Sequence, residues 1–511
     1  MDARTDHPGG GRSSAALDRR TMTVAAVVLL GAIMSILDTT VINVAIDRLA
    51  VDFSASLTTI QWVVTGYTLA LAAVIPVTGW AADRFGTKRI YLTSLALFML
   101  GSTLCAFAWS AGSLIAFRVL QGAGGGMIMP VAMTILTRTA GPQRMGRVMG
   151  LLGVPLLVAP ILGPILGGWL VDDVSWRWIF LINVPIGVVA IALAQVVLPR
   201  DEPQPAHKLD WLGMALLSPG LSALIFGLAE SNGTDGFAAA KSWAPIAAGA
   251  ILIVIWVRHS WRVANPLIDL RTFTHSRAGV SAVTFSLFAI AFFGSLLLIP
   301  LYYQTVRGAS ALEAGLLMAP LGFGAMITMP IAGQLTDRYG PTLWAACGLP
   351  LLVVGMVPFA LITDTTPYVL LCASSFVLGL GMGLAMMPTM TAAMQAVPAA
   401  AIARTSTAMN VLRQSGASIG TAILSVVLAS AVSDRLSSGA HATGRGLESM
   451  HSLSPAARAQ VVGPLADAFG QTFVWGLALL GLAFVAALVM AVGGRSQADR
   501  APAAESAPAA G

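Results

Sequence analysis

Hydrophobic and polar positions in this chain are segregated into blocks of about twenty residues, without the short period of a half-buried helix or strand. A helix rises 1.5 Å per residue and so needs about 20 apolar residues to cross roughly 30 Å of hydrocarbon. Fourteen runs of that order occur, at 22–46, 58–81, 89–108, 112–136, 145–171, 178–198, 210–229, 243–258, 278–303, 312–335, 342–362, 367–392, 405–431 and 471–493. The pattern predicts an all-α integral membrane protein with fourteen transmembrane helices, the eighth being the shortest. The first run exceeds a signal-peptide core and is expected to stay as a span. Residues 1–21 read as a polar N-terminal tail. The stretch 432–470 mixes Ser, Gly, His and Arg and is expected to be mobile, and 494–511 is an Ala/Pro/Ser tail expected to be disordered.

Composition agrees with lipid as the main solvent. Charged residues make up 10 % of 511, against about 25 % in a soluble domain, and the mean hydropathy is +0.80. Cys105, Cys347 and Cys372 lie in apolar segments with no CxxC spacing, so neither a disulfide framework nor a metal site is expected. The six histidines fall outside the runs or at their edges, which leaves haem without ligands. The net charge of +6 calls for a topological reading and not for a nucleic-acid partner. Of the 29 Lys and Arg, 20 fall in segments on one side of the alternation, seven on the other and two inside runs. The excess of positive charge in cytoplasmic loops then places both termini in the cytoplasm.

The chain repeats itself. Pro76-Val77-Thr78-Gly79 followed by Asp83-Arg84-Phe85-Gly86 returns as Pro330-Ile331-Ala332-Gly333 and Asp337-Arg338-Tyr339-Gly340, a shift of 254 residues. The run 118–130 matches 376–388, keeping Val119/Val377, Leu120/Leu378, Gly125/Gly383, Met129/Met387 and Pro130/Pro388. Run 2 therefore pairs with run 10 and run 4 with run 12. This divides the chain into six-helix halves at 22–198 and 278–493, with 199–277 as a linker carrying two extra helices. Parallel duplicated halves are a transporter architecture, suited to rocking about a central site. No GxxxxGK[ST] motif and no Ser/His or His/carboxylate set supports an ATPase or an enzyme.

Four runs carry a more specific signal: GWAADRFGTKR (79–89), RVLQGAGGG (118–126), APILGPILGG (159–168) and LDTTVINVAI (37–46). They resemble the signature motifs of the major facilitator superfamily. With the fourteen runs, WRWIFLINVPIG (176–187) and NVLRQSG (410–416), the chain is similar to the fourteen-spanner drug/proton antiporters of the EmrB/QacA type, from about residue 20 to 493. The resemblance implies a monomeric multi-pass protein of a bacterial inner membrane. Its substrates would be hydrophobic or cationic small molecules, exported against protons with the proton gradient as energy source and no cofactor. A dedicated exporter of one endogenous compound or lipid, or a receptor or scaffold on a transporter fold, are the alternatives.

Charge at lipid depth costs at least ~2.5 kcal/mol unless shielded, and Asp38, Arg118 and Arg413 lie there. Asp38 and Arg118 are each roughly 10 Å from the external surface at 1.5 Å per residue, so they can meet. Pairing favours the charged carboxylate and burial the neutral one, a balance that a substrate or water can tip. The resemblance assigns proton coupling to Asp38; a static pair is the plainer alternative. Arg413 is expected either to serve function or to stabilise its half through backbone carbonyls.

In run 5, Ala159, Gly163 and Gly167 have four-residue spacing, which permits close helix contact, while Pro160 and Pro164 bend the helix. With Gly168 they form the family's antiporter motif, expected to seal one side against leakage. Gly79, Asp83, Arg84, Gly86, Lys88 and Arg89 match the family's loop motif. This turn is expected to latch the halves together against the start of run 13 around Arg404-Thr405-Ser406, with Asp83 facing backbone amides. The second copy lacks the basic triplet, and a weaker latch is expected at Asp337. Asn43, Trp62, Tyr67, Gln121, Phe292, Phe293, Tyr303, Gln304, Asn410, Arg413 and Gln414 could line a substrate cavity.

Overall fold

The computed structural model describes residues 18–141, 144–150, 162–163, 166–199, 208–231, 239–274, 277–436 and 455–498. Its long helices are α1 (Arg19–Val41), α2 (Leu57–Phe85), α3 (Thr87–Ala106) and α4 (Ala111–Ala140). The fifth, α5, is described at 145–150 and 166–169. Then come α6 (Asn183–Val197), α7 (Trp211–Glu230), α8 (Ala240–Arg262) and α9 (Arg277–Thr305). The set closes with α10 (Ala311–Tyr339), α11 (Pro341–Ala360), α12 (Tyr368–Gln395), α13 (Ile402–Leu436) and α14 (Pro455–Ala498). Among the described residues, 13 spans are long and apolar enough to cross a membrane. The remaining expected span, the fifth, at 145–171, lies partly outside the described residues.

The duplication is visible in how the helices start and stop. Ser56 caps α2 by accepting from the Thr59 amide, and Ser310, at the equivalent position, caps α10 with Glu313 in a reciprocal box. Both helices end at a glycine with positive φ, Gly86 at 89° and Gly340 at 86°, a conformation that favours a residue without Cβ. Within each half, glycines bring backbones together. A Cβ on Gly126 of α4 would stand 2.7 Å from the Leu71 carbonyl of α2, and one on Gly381 of α12 2.7 Å from the Leu352 amide of α11. Such contacts replace the hydrophobic drive that lipid does not supply.

Several boundaries differ from those the hydropathy pattern predicts. Helix α8 has 23 residues and is not shortened. Helix α13 reaches Leu436, and α14 begins at Pro455, so part of the stretch expected to be mobile is helical. The reason is a short apolar segment that the window over 432–470 averages away: Leu465, Ala466, Ala468 and Phe469 are buried in the core of the second half. Residues 494–498 likewise continue α14 and are not part of a disordered tail.

Helices α7 and α8 pack on each other, with Gly249 against the Gly220 carbonyl. Asp210 fastens their basic end. Its Oδ1 accepts from the Gly213 amide and stands 2.8 Å from His259 Nε2, while Oδ2 accepts from the Leu267 amide at 3.3 Å. The pair leans on both halves. Ser222 donates to the Leu69 carbonyl of α2 at 3.3 Å, and Leu217 and Leu221 cluster with Trp80 of α2 and with Ala408 and Val411 of α13. Reporter fusions after residues 205, 236 and 268 should read inside, outside, inside. A fusion at 236 that reads inside would mean that α7 and α8 do not cross, leaving a twelve-span carrier.

Candidate functional site: a buried ion pair and a closure at the basic end

Helices α1 and α4 bring Asp38 and Arg118 together. Arg118 Nη1 donates to Asp38 Oδ2 at 2.6 Å, and both side chains are 0 % exposed. The other carboxylate oxygen, Oδ1, accepts from Gln121 Nε2 at 2.8 Å and from Asn183 Nδ2 at 3.1 Å. Arg118 also donates to Gln121 Oε1 at 2.8 Å and to the Val63 carbonyl at 3.2 Å, with its guanidinium 4.1 Å from the Tyr67 ring centroid. Its Nη2 is buried without a hydrogen-bond partner. The expected pair is thus present, but as the centre of a network and not as an isolated contact.

Three members of that network were not anticipated. Asn183 opens α6 and also donates to Ser102 Oγ at 3.0 Å, which donates in turn to the Phe180 carbonyl at 2.9 Å. Cys105 Sγ lies 3.7 Å from Gln121 Oε1. Asn183 stands inside the run 176–187, and a buried amide amid apolar residues is the available signal. Trp176, at the start of the same run, is buried and donates to Asp52 at 2.8 Å, tying the entry to α6 to the end of the first span.

Of the motif in α5, Gly163, Gly167 and Gly168 are described, whereas Ala159, Pro160 and Pro164 lie outside the described residues. Gly163 lies against Thr40, and a Cβ on Gly167 would stand 3.1 Å from the Val41 carbonyl. The expected close contact is therefore made with α1, two and three residues beyond Asp38. Gly168 has open space beside it.

The halves meet at the end that carries the basic residues. A Cβ on Gly79 would stand 3.1 Å from the Ala403 carbonyl of α13. Asp83 accepts from Arg138 Nη2 of its own half at 3.0 Å, and its second oxygen stands 3.7 Å from Arg404 Nε of the other. Ser406 donates to the Pro130 carbonyl at 3.0 Å, and Asn410 lies 3.5 Å from Met133 Sδ. The first-copy turn meets α13 where expected, with its carboxylate beside the Arg404 side chain. Lys88 is not part of this contact: it donates to the Gln195 and Leu198 carbonyls at 2.6 and 2.8 Å and caps α6 in its own half. Arg84 is half-buried and Arg89 exposed.

The second copy, expected to form the weaker latch, reaches backbone amides of the opposite half. Asp337 accepts from the Gly146 amide at 2.7 Å and the Arg147 amide at 3.2 Å, with Arg147 Nε at 3.6 Å. It is the carboxylate that sits on a helix start of the opposite half. The approach depends on glycine on both sides, because a Cβ on Gly333 would stand 2.5 Å from the Gly146 carbonyl.

The residues proposed for a cavity separate. Tyr67 and Gln121 belong to the ion-pair network. Trp62 faces outward, its ring 5.5 Å from Phe226 of α7, and Asn43 is exposed at the end of the first span. Phe292 is buried and stacks on Phe288 at 5.3 Å, and Tyr303 is buried beside Tyr302 and Tyr368. Asn410 is buried at the closure, donating to the Ser406 carbonyl at 2.9 Å. Phe293, Gln304, Arg413 and Gln414 are half-buried.

Two duplicated six-helix halves, a charge pair held at lipid depth and a closure between halves at one end define a multi-pass membrane carrier. The chain belongs to the Major Facilitator Superfamily, whose profile matches residues 28–421. It is 44 % identical over 415 residues to the multidrug resistance protein B homolog of Mycobacterium tuberculosis, covering 81 % of this chain and 77 % of that one. It is 32 % identical over 396 residues to the multidrug export protein EmrB of Haemophilus influenzae, covering 77 % and 78 %. The fold is similar to that of the proton:xylose symporter XylE, with a TM-score of 0.58 at 14 % identity, covering 90 % of this chain and 94 % of that one.

The closure yields a prediction opposite to that from sequence alone. Asp337→Asn should open the basic end at least as far as Asp83→Asn. Charged hydrogen bonds are worth about 1.5–3 kcal/mol, so the open fraction should rise about tenfold or more. A single cysteine at Met133→Cys, in a protein whose Cys105, Cys347 and Cys372 are replaced, should label faster from the basic side in Asp337→Asn. Equal labelling in Asp337→Asn and the parent would remove that contact from the closure.

Proposed function

We propose that this chain exports drug-like hydrophobic molecules from the cytoplasm in exchange for protons, with Asp38 as the group that takes up and releases the proton. The observation that carries the reading is the dry Asp38–Arg118 pair, held by Gln121 and Asn183 beside the place where α5 presses on α1. The relatives named as multidrug resistance and multidrug export proteins support drugs as the substrate class. The basic end then faces the cytoplasm of the inner membrane, and one chain, having both halves, suffices as a monomer.

In this reading the network makes Asp38 a switch. A charged Asp38 neutralises Arg118 and holds α1 to α4. A proton on Oδ2 removes the charge that Arg118 donates to, leaving the guanidinium with Gln121 Oε1 and the Val63 carbonyl. A buried pair that loses one charge loses about 3–5 kcal/mol, ample to shift two nearly balanced conformations. Because α1 meets α5 at Thr40 and Val41, freeing Asp38 also loosens the contact expected to prevent leakage. Glu230, paired with Lys241 at 3.6 Å, and Glu313, in a helix cap, are both engaged outside this network.

Two variants test the coupling in inverted vesicles given a proton gradient. Asp38→Asn should insert normally and lose gradient-driven transport, because it keeps the shape of the side chain and removes the titrating proton. Asn183→Leu should retain gradient-driven transport at a reduced rate, since Asp38 Oδ1 keeps Gln121 as a donor but loses the other. Undiminished gradient-driven transport in Asp38→Asn would reduce the pair to a structural one.

A further inference from the structure

Arg413 lies eleven residues into α13, about 16 Å from its basic end at 1.5 Å per residue, and thus near the middle of the bilayer. Its side chain is half-buried and, among the described residues, makes no ion pair and no hydrogen bond to a side chain or to a backbone carbonyl. The expected carbonyl-stabilising role is therefore not realised. A guanidinium at this depth costs at least ~2.5 kcal/mol unless solvated, so it must face water or a ligand. Its position fits. Asn410, one turn below, meets Met133 at the closure, and Gly416, one turn above, packs on Ala289 of α9. Arg413 lies between the closure of the halves and the seam of its own half.

The charges around it decide what that ligand carries. Asp38 is the described carboxylate deep within the spans, and Arg118, Gln121 and Asn183 already occupy it. Other acids of the spans lie near their ends: Asp83 and Asp337 at the closure, Glu230 with Lys241, Glu313 in its cap and Asp467, exposed, seven residues into the last span. Among the described residues the interior thus carries one uncompensated positive charge, which repels a cation and attracts an anion. Phe293, half-buried on the facing α9 next to the Phe288–Phe292 stack, supplies an apolar surface one turn from the Gly416 crossing.

We infer that Arg413 is a specificity-determining residue that binds the acidic group of the transported molecule, so that lipophilic organic anions are favoured over the cationic compounds anticipated from sequence. The inference rests on the export reading but not on the role of Asp38. A guanidinium holds a carboxylate or sulfonate through paired charge-assisted hydrogen bonds, which lysine reproduces only as a point charge.

A ring-matched trio tests it: anthracene-9-carboxylate, 9-anthracenemethanol and 9-(aminomethyl)anthracene. Binding to the purified full-length protein is read by anthracene fluorescence without a gradient, and uptake by inverted vesicles with one. The parent protein should bind the carboxylate about tenfold or more tightly than the amine. Arg413→Gln should weaken the carboxylate by about 10- to 100-fold and leave the alcohol within about threefold, with Arg413→Lys intermediate. In uptake the loss should fall mainly on KM. Equal binding of the carboxylate to the parent and Arg413→Gln, no preference over the amine, or an equal loss for the alcohol would each overturn the inference. Charge-selective binding without gradient-driven uptake of any probe would instead overturn proton exchange and leave Arg413 standing. Gradient-driven uptake that ignores probe charge would do the reverse.

Discussion

A charge inside a bilayer is tolerated only while something nearby satisfies it, and this constraint organises the interior of the carrier. The first half meets it internally. Asp38 and Arg118 neutralise each other, Gln121 and Asn183 fill the second carboxylate oxygen, and the Tyr67 ring covers the guanidinium. The second half leaves its one deep cation, Arg413, half-buried and without an internal partner among the described residues. The two halves share a repeated sequence yet differ in electrostatics: one encloses a neutralised pair, the other leaves a charge without a partner among the described residues.

Small residues make that division mechanical. Where α5 meets α1, Gly163 and Gly167 bring backbone to within contact of Thr40 and Val41, so the helix that carries Asp38 is also the helix that the antiporter motif touches. At the basic end, Gly79, Gly146 and Gly333 let the halves close to backbone distance, and Asp83 and Asp337 fasten the closure with charge. The helices that carry these charges are already joined to their neighbours through tight backbone contacts, for which small displacements are not cheap.

The inserted α7–α8 pair belongs to this machinery by position. It contacts α2 beside the first-copy turn and α13 one turn from the closure, while Asp210 and His259 hold its own basic end together. Residues 268–273, which follow it, and 398–405, at the start of α13, border a cleft of about 210 Å³ that includes Arg404. An insertion that touches both halves must slide on at least one of them when they rock.

The span count, the duplication, the charged residues at lipid depth and the glycine motifs were legible from the sequence, because the bilayer imposes a length and a polarity that a single chain must write out in order. The meeting of Asp38 with Arg118 followed from depth alone. Depth does not fix azimuth, however, and that is where sequence reading ended. Which face of a uniformly apolar helix turns inward depends on its neighbours, so Trp62 pointed outward, Phe292 vanished into a stack, and Asn183 and Ser102 joined the ion pair unannounced. The latch shows the same limit: the basic triplet drew attention to Asp83, whereas the seat of Asp337 on the amides of Gly146 and Arg147 depends on the approach of Gly146 to Gly333, which no sequence motif records. That Arg413 has no partner among the described residues was likewise a tertiary fact, because a missing partner is visible only once the neighbouring groups have been placed.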